Sequence, residues 1–198
     1  MTPEQIARFS ATFNAILEYE GAFASVQFDL GGETVYGISW VHNPQWEGWK
    51  RLEELKALPG FPASVTGDAN LRLQAESFYF RLFVAVGLDQ ISDANVAFEL
   101  FEQAVHRGAT GAIKGLQRIL NSFNKQDTLW DDLEEDGVFG QGTQSATEIF
   151  ITTIGAGELI KWLNIVQGGH FLDIVRKRPE QEKFMRGWSR RIEFKKLT

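Results

Sequence analysis

The feature that most restricts this chain is the spacing of its apolar residues. Ile6, Phe9, Phe13, Ile16 and Leu17 recur every three or four positions, and the same interval returns through 68–86, 93–107 and 110–123. Residues so spaced share one face of an α-helix. One stretch breaks the period. Between 22 and 40, Phe23, Ser25 and Gln27 approach alternation, Asp29-Leu30-Gly31-Gly32 forms a turn, and Thr34, Val35, Tyr36 and Ile38 favour strand. The expected fold class is therefore mainly α, with one small β-hairpin near residues 22–40.

Helix boundaries follow from local chemistry. Thr2 is a suitable N-cap, Pro3 suits the first helical position, and Gln5 completes a capping box. Gly21 is a natural stop, which places Glu20 at the very end of the first helix. A short helix over 46–57 ends before Pro59-Gly60, and one over 68–86 ends at Gly87 with Leu71, Ala75, Phe78, Tyr79, Leu82 and Phe83 inward. Residues 124–142 read as an acidic, glycine-bearing loop. Thr143 is expected to cap the next helix, with Gly155, Gly168-Gly169 and Pro179 as interruptions beyond it.

Composition removes several function classes. There are no cysteines, so disulfides, thiol nucleophiles and Cys-ligated zinc are out. The net charge is −6, which disfavours nucleic acid as a partner. No apolar run approaches the roughly 18 residues that span a bilayer, so stable membrane insertion is not expected. The N-terminus lacks the basic and continuously apolar regions of a signal peptide. His42, His106 and His170 are scattered without a zinc-binding spacing. Asp132, Glu134, Asp136 and Gly137 imitate the start of a calcium loop, but Thr143 stands where the bidentate Glu belongs. No metal and no cofactor are expected.

The stretch from Glu20 to Ser39 carries the chemistry. Glycoside cleavage needs a proton for the leaving oxygen and charge to stabilise an oxocarbenium-like state, a task usually shared by two carboxylates. Glu20 is a carboxylate at a rigid helix end, Asp29 follows nine residues later, and Thr34 five residues after that. A hairpin folded over the helix end would gather all three. Glu20 would donate the proton, while Asp29 and Thr34 would position water. Gly31 and Gly32 would let backbone approach a sugar closely. Tyr36 either stacks on a sugar or sits in the core. Trp40, Trp46 and Trp49 likewise either line a cleft or pack inside.

Glu20-Gly21-Ala22-Phe23 followed by Asp29-Leu30-Gly31-Gly32-Glu33-Thr34-Val35-Tyr36-Gly37-Ile38 resembles glycoside hydrolase family 108. Ala22 and Phe23 depart from its usual glycine and tyrosine. Leu100 to Gly108 resembles a second family segment, with Glu102 and His106 where Asp and Asn are usual. Leu116-Gln117 and Leu120, then Asp136-Gly137-Val138-Phe139-Gly140 and Thr143, resemble peptidoglycan-binding modules, and Gly187-Trp188 with Arg191 resembles the closing segment.

The resemblance implies a lysozyme-like helical fold, a catalytic lobe over 1–108 and a peptidoglycan-binding part over 109–198. It implies an N-acetylmuramidase with Glu20 as general acid and peptidoglycan glycan strands as partner. The alternatives are a lytic transglycosylase and a non-enzymatic wall-binding secretion accessory. Action in the periplasm or cell wall after export or lysis is expected, with a holin, secretion machinery or an immunity protein as further partners.

Overall fold

The computed structural model describes residues 2–20, 23–25 and 32–192, and among these the side chains of residues 18–20, 24 and 25 are not described. The fold is mainly helical, and the chain divides into two compact units, residues 1–82 and 83–198.

The first unit opens with α1 (Pro3–Glu20). Its capping box is formed: the Gln5 amide N–H donates to Thr2 Oγ1 at 3.2 Å, and the Thr2 N–H donates to Gln5 Oε1 at 2.7 Å. Phe9, Phe13 and Ile16 are buried, each contributing about 1.5–3 kcal/mol. Their counterpart is α4 (Ala69–Ala85), whose Leu71, Ala75 and Tyr79 are buried at helical spacing. Phe9 meets Phe80 edge-on at 5.2 Å, and Phe13 meets Tyr79 at 5.8 Å.

Between these helices lies the expected β structure, extended by a third short strand. β1 (Phe23–Ser25), β2 (Glu33–Val35) and β3 (Ile38–Ser39) form an antiparallel sheet in that order. Val35 pairs with Ile38 across Tyr36-Gly37, and both turn residues have positive φ, +49° and +82°. That is the type I′ geometry matching strand twist. α2 (Gly48–Lys56) buries Trp49, Leu52 and Leu55, and the single turn α3 (Ser64–Gly67) buries Val65. Arg51 of α2 pairs with Asp68 at 2.6 Å, while Asp68 Oδ1 accepts the Leu71 N–H at 2.8 Å. Asp68 thus caps α4 and ties it to α2. Hydrogen bonding to Arg51 holds its carboxyl below the usual range.

The second unit is built on α5 (Ala94–Arg107), α6 (Ala109–Phe123), α7 (Gln141–Phe150) and α8 (Ala156–Lys177). Asp93 caps α5, accepting from the N–H groups of Asn95 and Val96. α5 packs on α6 and α8, with Val96, Leu100, Ile113, Leu116, Leu120, Leu159 and Leu163 buried. The Asp136-Gly137 turn is present: Asp136 Oδ1 accepts from Val138 N–H at 2.8 Å, and Gly137 has φ +80°.

Three local expectations are corrected. Thr143 does not cap α7. The helix begins two residues earlier, after Gly140, and Thr143 is buried with its hydroxyl accepting from Gln117 Nε2 at 3.3 Å. Gly168-Gly169 does not interrupt α8, because the surrounding apolar packing carries the helix through it. A π-helical segment, Ile151–Gly155, joins α7 to α8, so helix extends over Gln141–Lys177. Its most apolar 18 residues have a mean hydropathy of 1.4, long and apolar enough by composition to cross a membrane. This corrects the expectation that no apolar stretch reaches that length, while Gly155, at φ +119°, leaves helical geometry where an interruption was expected. Phe150, Leu159, Ile160 and Leu163 of the same helix are buried.

The Gly137 turn leaves no room for a side chain. A Cβ there would lie 2.8 Å from the Thr110 carbonyl oxygen and 2.6 Å from its methyl group. Gly137→Ala is expected to cost about 1–3 kcal/mol through strain and overpacking. Thermal unfolding checks it, with a drop in Tm of several degrees.

Candidate active site

The structure describes the backbone at two of the three expected catalytic residues, Glu20 and Thr34. α1 ends at Glu20, and β1 begins at Phe23. Ala24 pairs with Thr34, and Thr34 in turn pairs with Ser39. Four residues of chain separate Glu20 from Ala24, at most about 14 Å of extended backbone. Paired Cα atoms of adjoining strands are about 4.5–5.5 Å apart. Chain connectivity and pairing together keep the Thr34 Cα within about 20 Å of the end of α1. The Glu20 side chain, Asp29 and Gly31 lie outside the described residues.

Thr34 is half-buried in the middle strand. Its strand is fixed at both ends. Glu33 Oε2 pairs with Lys56 Nζ at 2.7 Å. Beyond Val35, Tyr36 settles in the core of the two placements its sequence left open: it is 4% exposed, and its hydroxyl donates to the Val65 carbonyl at 2.8 Å. Burial pushes that phenol up from its ordinary value. The Tyr79 hydroxyl donates to the Tyr36 carbonyl at 2.8 Å. Tyr36 thus supports the sheet instead of offering a ring to a sugar. Gly32, with φ +64°, leads into β2 beneath Val41, whose Cγ2 would lie 3.2 Å from a Cβ at that position. Phe23, at the start of β1, packs its ring against Phe61 at 5.0 Å.

Of the three tryptophans after the hairpin, Trp46 and Trp49 are buried and Trp40 is exposed. A groove of about 500 Å³ runs along the same segment, lined by His42, Asn43, Gln45, Trp46, Phe78 and Arg81 among others.

A second polar cluster lies inside the 83–198 unit, and the sequence disclosed only its edge. Glu102 is buried. Its Oε2 accepts from Gln167 Nε2 at 2.6 Å, and its Oε1 accepts from Arg191 Nη1 at 3.1 Å. His106 Nε2 is 3.4 Å from Glu102 Oε1 and also meets Arg191 Nη1. Burial raises the Glu102 carboxyl, but hydrogen bonds from His106 and Gln167 and the Arg191 charge outweigh it and leave the group below its ordinary value. One turn earlier, Glu99 is equally buried, with Gln103 Nε2 donating to it at 3.1 Å. Burial pushes Glu99 up to about 7. The residues that complete the cluster, Glu99 and Gln167, carry no sequence motif. Their only signal is a polar residue on an otherwise inward helix face.

Residues 13–108 match the family Glycosyl hydrolase 108. Residues 111–193 match the family described as Predicted Peptidoglycan domain. The structure of Brucella abortus SagA is similar in fold, with a TM-score of 0.58 at 20% identity over 95% of each chain. A comparison with curated proteins finds no match. The first matched range ends within the second compact unit, so α5, its last helix, packs with α6 and α8.

Glu99 fixes a pH dependence with a definite sign. Its folded pKa, about 7, lies above its ordinary value of 4.5. The folded state therefore holds this proton more tightly, and stability falls as pH rises from about 4.5 to 7. His170, lowered by burial, works in the opposite direction. Glu99→Gln isolates the first effect. Urea unfolding should show the variant gaining stability over the parent between pH 5 and pH 8, by on the order of 2–3 kcal/mol.

Proposed function

We propose that this chain, a peptidoglycan hydrolase joining a Glycosyl hydrolase 108 region to a peptidoglycan domain, cleaves the β-1,4 bond between N-acetylmuramic acid and N-acetylglucosamine with Glu20 as general acid. One observation carries the reading: α1 ends at Glu20, and the strand that follows pairs with the strand bearing Thr34. A helix C-terminus carries partial negative charge, which disfavours an ionised carboxylate. That is the condition a proton donor requires.

In this mechanism Glu20 protonates the glycosidic oxygen as the bond to the anomeric carbon breaks. Positive charge develops on the sugar ring, and Asp29 stabilises it or takes a proton from the attacking water. Thr34, fixed in the central strand, orients that water through its hydroxyl. The backbone at Gly31 and Gly32 lies against the sugar. Carboxyls about 6.5–9.5 Å apart would invert the anomeric centre, and a separation of about 5–5.5 Å would retain it.

We assign catalysis to residues 1–108 and wall binding to 109–198, the division that the two matched ranges support. The same reading places the enzyme in the periplasm or cell wall, reached by export or lysis. Secretion machinery, a holin and an immunity protein are the partners such a route would involve.

Substitutions at two positions test the mechanism on purified peptidoglycan. Glu20→Gln should lower turnover by about 10²–10⁴-fold without changing wall binding. Thr34→Ala should lower kcat about tenfold, and Thr34→Ser should restore most of it. Wild-type turnover in folded Glu20→Gln would refute the assignment.

A further inference from the structure

Trp40 is 46% exposed, while Trp46 and Trp49 of the same segment are 6% and 5% exposed. The next residue, Val41, is 54% exposed. Two adjacent apolar side chains thus face water, while Trp46 and Trp49 pack inward. An indole of this size ordinarily gains by burial.

The ring is also held in place. It meets Trp49 edge-to-face at 5.2 Å and 72°, and Trp49 meets Trp46 at 5.0 Å and 89°. Trp49 Nε1 donates to the Asn43 carbonyl at 2.7 Å, and Trp46 Nε1 donates to that of Gln74 at 3.4 Å. The Trp40 N–H donates to the Glu33 carbonyl at 2.9 Å, which fixes its backbone to β2. An exposed aromatic surface on such a base loses little entropy when something covers it.

Its position and surroundings indicate what covers it. Trp40 directly follows Ser39, the pairing partner of Thr34, and a Cβ at Gly32 would lie 3.2 Å from Val41 Cγ2. The groove along 42–47 offers an imidazole, amides, a carboxylate and a guanidinium beside the Trp46 and Phe78 rings. A pyranose ring presents an apolar C–H face and a rim of hydroxyl and acetamido groups. The flat Trp40 indole complements the first, and the donors and acceptors of the groove, joined to it through the Trp49 and Trp46 rings, complement the second.

We propose that Trp40 is a carbohydrate-stacking platform carrying an N-acetylhexosamine ring of the glycan strand at a subsite next to the cleavage site. This rests on the peptidoglycan reading of the same sheet.

The test uses the full chain and a soluble glycan of alternating N-acetylglucosamine and N-acetylmuramic acid, freed of stem peptides. Trp40→Phe keeps a planar ring, whereas Trp40→Leu keeps apolar packing on Trp49 without one. Both are first shown to be folded by thermal melting. Trp40→Leu should raise KM about tenfold with kcat within about twofold, and Trp40→Phe should stay within about threefold of the parent KM. An unchanged KM in Trp40→Leu, while the parent cleaves, overturns the platform and leaves the hydrolase reading standing. If the parent cleaves nothing, the hydrolase reading falls, and calorimetric binding of the same glycan decides the platform. Weaker binding by Trp40→Leu than by Trp40→Phe upholds it, and equal affinity overturns it.

Discussion

The candidate site depends on the register between β1, β2 and β3. A slip of one residue would turn Thr34 to the opposite face of the sheet. The register is fixed at the Tyr36-Gly37 turn, where a bulky non-glycine residue adopts the left-handed conformation. Such a placement persists only where the surroundings over-determine it. Here the Tyr36 hydroxyl is bonded to Val65, and its carbonyl receives the Tyr79 hydroxyl from α4. Tyr79 also touches Phe13 of α1. The helix that ends at Glu20, the turn that sets the strand and the helix beneath them thus share one packed group.

Much of this was legible in the sequence. Helical periodicity located α1, α4, α5 and α6, because their cores follow a simple three-to-four spacing. Thr2 and Gln5 announced a capping box that is present. The glycine and threonine pattern over 29–38 located the sheet. Tyr36 shows where local reading stops: a tyrosine beside a candidate site looks the same whether its hydroxyl meets a sugar or the carbonyl of a residue twenty-nine positions away. Thr143 failed as a cap for a related reason. Its hydroxyl is engaged by Gln117 from α6, a partner no local pattern names. Gly168-Gly169 misled because helix propensity is weak against packing.

The Glu102 cluster gives physical content to a departure from family pattern. A glutamate in place of the usual aspartate reaches Gln167 of α8 and Arg191 near the chain end. A carboxylate this deeply buried is tolerated only when its oxygens are satisfied. Glu99, one turn away, is bonded by the amides of Gln103 and Asn164, and burial together with the Glu102 charge dominates its titration. Two glutamates on one helix therefore titrate in opposite directions. Their surroundings, not their identity, decide it.

Cleavage on the muramic acid side of the glycan strand is the central claim. Mass spectrometry of the soluble products from purified peptidoglycan tests it directly. Hydrolysis at that bond is expected to leave reducing N-acetylmuramic acid ends carrying one added water. Anhydro-muramic ends, or reducing N-acetylglucosamine ends, would contradict it.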